Sequence, residues 1–173
     1  EQNRRLIAEL RAMERASDYM IIDTAAGIGG NVTGVLRAAA EVVVVTTPDP
    51  TAVVDAYALI KVLHKHAPRK PLWVIVNDVV GVGDAEQTFS QLRSAALRFL
   101  NHNIEHLGTI PRDPELAAAV REQVPVIEYA PETPASRAFR LIAKHFDQKH
   151  NAQGEVKGTT AASFWNQLLE SEA

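Results

Sequence analysis

The 173-residue chain contains no cysteine. Disulfides, thiolate zinc sites and cysteine-held iron–sulfur clusters are therefore excluded. Aromatic residues are sparse, and no apolar run reaches the length needed to cross a bilayer as a helix. Neither sign of charge predominates, with 18 Lys and Arg against 21 Asp and Glu. A net charge of -3 does not point to nucleic acid or to an anionic membrane as the main partner. A lysine-bearing phosphate loop, G-x-x-x-x-G-K-[ST], is missing, and no serine sits in G-x-S-x-G, so a hydrolase triad has no footing. The opening stretch "EQNRRLIAELRAMERASD" has the pattern of a charged amphipathic helix and not of a secretory signal, so a cytoplasmic location is expected.

What is present is the make-up of an ordinary globular domain, with 46% hydrophobic and 23% charged residues. Short apolar runs at Tyr19–Ile22, Val42–Val45 and Leu72–Val76, with a weaker one from Ile104 to Ile110, alternate with helical stretches. The first three are continuous rather than alternating, as in strands buried on both faces of a parallel sheet. Asp49-Pro50, Asp113-Pro114 and Thr133-Pro134 each pair an N-cap with a proline in the first turn. A helix is expected from Asp84 to His102, with Phe89, Leu92, Ala96, Phe99 and Leu100 along one side. The fold class is thus α/β, a mostly parallel sheet flanked by helices. After Asp147 the composition turns polar and aperiodic, so 147–162 reads as a linker and 163–173 as a short tail helix.

In open α/β sheets ligands sit beyond the carboxyl ends of the strands. The first such loop is "DYMIIDTAAGIGGNVTG". Gly29 and Gly34 have Walker A spacing, but Val35-Leu36 replace the lysine and hydroxyl that hold phosphate and magnesium. An apolar run ending in Asp23 suits the other half of such a site, where a carboxylate holds Mg²⁺ beside the phosphates. Gly27, four residues on, could offer a bare N–H to a terminal phosphate. Taken alone, Asp23 reads more readily as a turn cap, and Asn77 as a strand-end turn residue. His64 and His66 face different ways on a helix, and His102 with His106 lacks an acidic or cysteine partner for a metal. The basic run "KHAPRK" reads as a solvated helix end.

Four ordered motifs, "DYMIIDTAAGIGG", "VVVVTTPDPTAVVDAYALIK", "VIVND" and "LGTIPRDPELAAAVREQVPV", resemble MinD/ParA-type P-loop ATPases over roughly Leu6 to Phe146. "DTAAGI" and "AALRFLNHNIEHLGTIPRD" are similar to the branch that regulates flagellar number and placement, the FlhG/FleN type. The resemblance implies that residues 1–146 are the C-terminal portion of such a domain, without its first strand and lysine loop. It assigns Asp23 to magnesium, through water, as the catalytic and metal residue. It makes Thr24–Gly30 the segment that senses the γ-phosphate, with Gly27 nearest. Asn77 would hydrogen-bond adenine, with Pro111 and Arg112 flanking the base, while Asp49 and Asp113 serve as caps. The implied cofactors are ATP or ADP and Mg²⁺. The implied partners are a second subunit, in a nucleotide-dependent homodimer, and proteins of flagellar assembly. A chromosome-partition or cell-division ATPase, or a non-catalytic partner-binding fragment, are the alternatives. Cell-division relatives hold the membrane with a basic terminal helix; here Glu170 and Glu172 follow the apolar Phe164, Trp165, Leu168 and Leu169, so membrane contact is expected to be weak at most. In the resembled fold the missing first strand lies between Tyr19–Asp23 and Val42–Val45. Without it the two runs must pair directly, leave a gap, or be bridged by another molecule.

Overall fold

The structure is a computed structural model that describes residues 17–25, 27, 29–152 and 164. Helix α1 (Gly30–Ala38) leads to β1 (Val42–Thr46), α2 (Pro50–His66), β2 (Leu72–Val79), α3 (Asp84–Leu100) and β3 (Glu105–Pro111). Helices α4 (Pro114–Glu122), α5 (Val126–Tyr129) and α6 (Pro134–Ala152) follow. The strands form one sheet in the order β1-β2-β3, every pairing parallel. The expected α/β architecture is therefore present.

Register decides which side chains share a face. Val42, Val44 and Thr46 align with Leu72, Val74 and Val76, so all six point the same way. Helices α2 and α3 cover that face with Ala56, Ile60, Leu63, Leu92 and Ala96. Each large aliphatic side chain so buried contributes roughly 1.5–3 kcal/mol. On the other face α6 packs against β3. Ala135, Ala138 and Ile142 meet Ile110 and Ile75, and Phe146 stands edge-on to Trp73 with ring centroids 6.3 Å apart.

That second layer stops short of β1. Val43 is 42% exposed and Val45 59%, so the valine run is buried on one face only, whereas β2 is covered on both. Continuous valines announced a buried strand, but burial of the second face depends on a helix that lies over β2 and β3 instead.

Tyr19–Ile22, expected as a strand, is not one; among the described residues no strand pairs with it, and Ile21 is 92% exposed. A segment without a ladder partner has no sheet hydrogen bonds to hold it. The outer edge of β1 is likewise unpaired among the described residues. A cleft of about 420 Å³ lies between this segment and the start of β1, lined also by Val35, Leu36, Phe146 and Phe164. Among the described residues nothing bridges Tyr19–Ile22 and β1, and the two do not pair. Tyr19 is nonetheless tethered, its hydroxyl donating to Asp147 Oδ1 at 2.9 Å.

The helix starts fall where the proline-linked caps put them. Asp49 accepts from Thr51 N at 2.8 Å, and Thr133 Oγ1 from Ser136 N at 3.3 Å. Asp113 does more than cap. One oxygen accepts from Glu115 N and the other from Ala135 N, both at 3.0 Å, so a single carboxylate holds the starts of α4 and α6 together. Those hydrogen bonds, the one from Ala135 above all, hold its carboxyl below the usual aspartate value.

Two helix readings need correction. Phe99 is exposed, because α3 buries the stripe Thr88, Leu92, Ala96 and the partly covered Leu100, and Phe99 turns off it. Helix α6 continues through residues 147–152, where composition suggested a linker. Lys149 pairs there with Glu105, and His150 Nε2 meets Glu41 Oε1 at 2.9 Å, so polar side chains anchor the last turns to strand starts. Residues 153–163 and 165–173, the rest of the expected linker and tail, lie outside the described residues, as do 1–16. Phe164 is helical and buried.

Candidate functional site

Parallel strands bring their carboxyl ends to one edge of the sheet, where the loops after β1, β2 and β3 gather. Asn77 and Asp78 lie near the end of β2, and Pro111 ends β3. Val79 stands opposite Pro111, and the Arg112 N–H donates to Val79 O at 2.8 Å. The structure therefore brings Asn77, Pro111 and Arg112 to one place.

The junction is irregular in an informative way. Between Val76 and Val79 strand β2 advances three residues while β3 advances two, from Thr109 to Pro111. The extra residue makes a bulge, and Asp78 absorbs it in the left-handed region at φ 58°. Aspartate tolerates that conformation better than most side chains. Its carboxylate turns to Arg112, whose Nε donates to Oδ1 and Nη2 to Oδ2, both at 2.7 Å. This fork holds the Asp78 carboxyl below its ordinary value and raises the Arg112 guanidinium. Sequence reasoning passed over Asp78. Its signal was the Asn-Asp dipeptide at a strand end, which marks turns in general and this pairing not at all.

Asp23 and Gly27 lie in exposed coil before α1. Neighbouring Thr24 lines the cleft beside β1, so this segment lies on the β1 side, whereas Asn77, Pro111 and Arg112 belong to β2 and β3. Gly27 has φ 114°, a backbone state that strains any side chain, although a Cβ there would meet no atom within 4 Å. The Asp23 carboxylate is open to solvent and can accept a hydrated cation.

The histidines are arranged differently from any spacing in the chain. His102 pairs with His64, Nδ1 to Nδ1 at 3.1 Å, and its Nε2 lies 3.1 Å from Lys70 O. A carbonyl only accepts, so Nε2–H donates to it, and the neutral ring keeps Nδ1 as an acceptor for His64. Burial, offset in part by that carbonyl and reinforced by His64, holds the His102 pKa below 6.5. Lys70 is no solvated helix end; its ammonium donates to Arg37 O, at 2.7 Å, and to Ala39 O, closing the end of α1. Among the described residues no group of three His, Cys, Asp or Glu could hold a metal, and no helix is long and apolar enough to cross a membrane.

Comparison with known proteins bears on the fold and the family. Residues 7–147 match the ParA family model described as "NUBPL iron-transfer P-loop NTPase". The antiactivator FleN of Pseudomonas aeruginosa is 37% identical over 130 residues, which are 75% of this chain and 46% of that protein. The flagellum site-determining protein YlxH of Helicobacter pylori is 33% identical over 155 residues, 88% of this chain and 52% of the relative. The chain thus spans about half the length of these curated relatives. In fold it is similar to the septum site-determining protein MinD of Pyrococcus horikoshii, solved with Mg-ADP. That likeness has a TM-score of 0.66 at 20% identity, over 89% of this chain and 60% of that one. The cell division ATPase MinD of Pyrococcus furiosus gives a TM-score of 0.64, also at 20% identity, over 85% of this chain and 59% of that one. The chain belongs to the ParA family of P-loop NTPases.

Proposed function

We propose that this chain is the base-recognising part of an ATP-driven molecular switch of the MinD/ParA type that regulates flagellar number or placement in the cytoplasm. The observation that carries the nucleotide reading is the meeting of Asn77, Pro111 and Arg112 at the carboxyl edge of the sheet, fixed by the Arg112 N–H to Val79 O bond. The half-buried Asn77 amide both donates and accepts, which suits the edge of adenine. Arg112 spends one edge of its fork on Asp78, which leaves the guanidinium face free to lie over the base. Pro111 supplies an apolar flank. Magnesium supplies neutralisation of the phosphate charge, and the solvent-open Asp23 carboxylate would hold it through water. Gly27 admits close approach of the backbone to the terminal phosphate, because no side chain stands in the way. Nucleotide-dependent pairing of two subunits, and the exchange of partners between the two states, belong to the whole protein. Kinship with FleN and YlxH supports the flagellar role.

The isolated chain has no lysine in a phosphate loop, so it is expected not to turn over Mg-ATP. A phosphate-release assay tests this, with Asp23→Ala as control. Sustained release that vanishes in the variant would contradict it. A longer form of the protein that carries a G-K-[ST] loop is expected to hydrolyse Mg-ATP and to need Asp23. A complete protein without that loop would leave a non-catalytic switch.

A further inference from the structure

Adenine-nucleotide binding at Asn77 leaves one matter of chemistry open. An asparagine amide satisfies donors and acceptors on either purine, so Asn77 alone does not separate adenine from guanine. The next residue, Asp78, bears on that choice. Guanine presents two neighbouring donors, N1–H and the N2 amino group, a fork that a carboxylate accepts with both oxygens. Adenine has no such fork. A free carboxylate one residue from the base-binding amide would therefore favour guanine.

Here the carboxylate is not free. Arg112 offers it two parallel N–H groups, each at 2.7 Å, the same pattern that the guanine edge would offer. The bulge is what makes this contact. Asp78 adopts φ 58° and swings its side chain to β3, while the Arg112 backbone is pinned to Val79 O. Both side chains are solvent-exposed, 64% for Arg112 and 44% for Asp78, so the pair adds little to stability and its removal leaves the core intact.

We propose that Arg112 selects for adenine by occupying Asp78: its guanidinium stands in for the guanine edge and denies that base its carboxylate partner. Removing the arginine frees Asp78 to accept guanine. Removing the carboxylate as well abolishes that gain. The inference rests on the nucleotide reading of the Asn77 site, and the test separates the two.

Purified chain is titrated with ADP and with GDP, following the backbone amide resonances of Asn77, Val79 and Arg112, in four forms: unaltered, Arg112→Ala, Asp78→Asn and the double variant. Asparagine accepts the left-handed backbone at position 78, so the fold is kept. The readout is the ratio of the two affinities, since lost stacking weakens both purines alike. The unaltered chain is expected to prefer ADP. Arg112→Ala should move the ratio about tenfold toward GDP, the size of one bidentate base contact. The double variant should lose that movement. An unchanged ratio in Arg112→Ala, with ADP still bound, overturns the role of Arg112 while leaving the nucleotide site standing. Absence of any response to either nucleotide in the unaltered chain overturns both.

Discussion

At the scale of single residues, several charged and polar groups each make identifiable contacts. Asp113 holds two helix starts, Lys70 closes α1, and His102 joins α2 to the segment after α3. The His102 link is sensitive to pH. Its ring is buried, and protonation of Nδ1 would set N–H against the His64 nitrogen, so the folded state favours the neutral form. A histidine with a depressed folded pKa stabilises fully above its unfolded value, about 6.5, and that stability is lost as pH falls through the folded pKa. His106 is depressed in the same sense, chiefly by burial. His150 runs the other way. Burial opposes its charge, but Phe146 O and Glu41 both accept from the ring and raise its pKa, so its contribution is lost as pH rises. The net slope therefore mixes signs, and a comparison with a variant isolates His102. Thermal melts from pH 7.5 down to 5.5 are expected to show a smaller acid loss in His102→Asn than in the unaltered chain. Equal slopes would show that this histidine does not titrate with folding.

Elements were legible where local chemistry decided them and obscure where tertiary partners did. Proline-linked caps placed α2, α4 and α6 because the signal lies within four residues of chain. Apolar runs placed β1, β2 and β3, but Tyr19–Ile22 carries the same pattern and forms no strand, since a strand needs a neighbour that its own residues cannot supply. That Asn77, Pro111 and Arg112 come together was legible through family motifs. The Asp78 contact was not, because it depends on a one-residue bulge between two strands. One glycine sets the approach of α6 to the sheet. A Cβ at Gly108 would collide with the Ile142 side chain. Gly108→Val is expected to cost about 1–3 kcal/mol by overpacking, read from the urea midpoint. Ile142→Ala should recover part of that loss when the two are combined. An unchanged midpoint in the single variant would mean that α6 does not sit this close.

At the scale of the whole molecule, the sheet formed by the described residues is open on its β1 side. The edge lacks a ladder partner among the described residues, two valines on the adjoining face are exposed, and the Asp18–Ile22 segment stands across an open cleft. Such edges invite association. Sedimentation velocity is expected to show concentration-dependent self-association of the purified chain, reduced by Val45→Lys. A monomer at every concentration would contradict it.

The nucleotide site is the central claim, and it reduces to whether adenine nucleotide finds the junction of β2 and β3. Titration of the chain with ADP and magnesium, followed residue by residue through amide resonances, tests it most directly. Saturable shifts are expected at Asn77, Val79 and Arg112, lost in Asn77→Ala while the rest of the spectrum keeps its dispersion. Shifts confined to other parts of the chain, or none at millimolar nucleotide, would contradict the account.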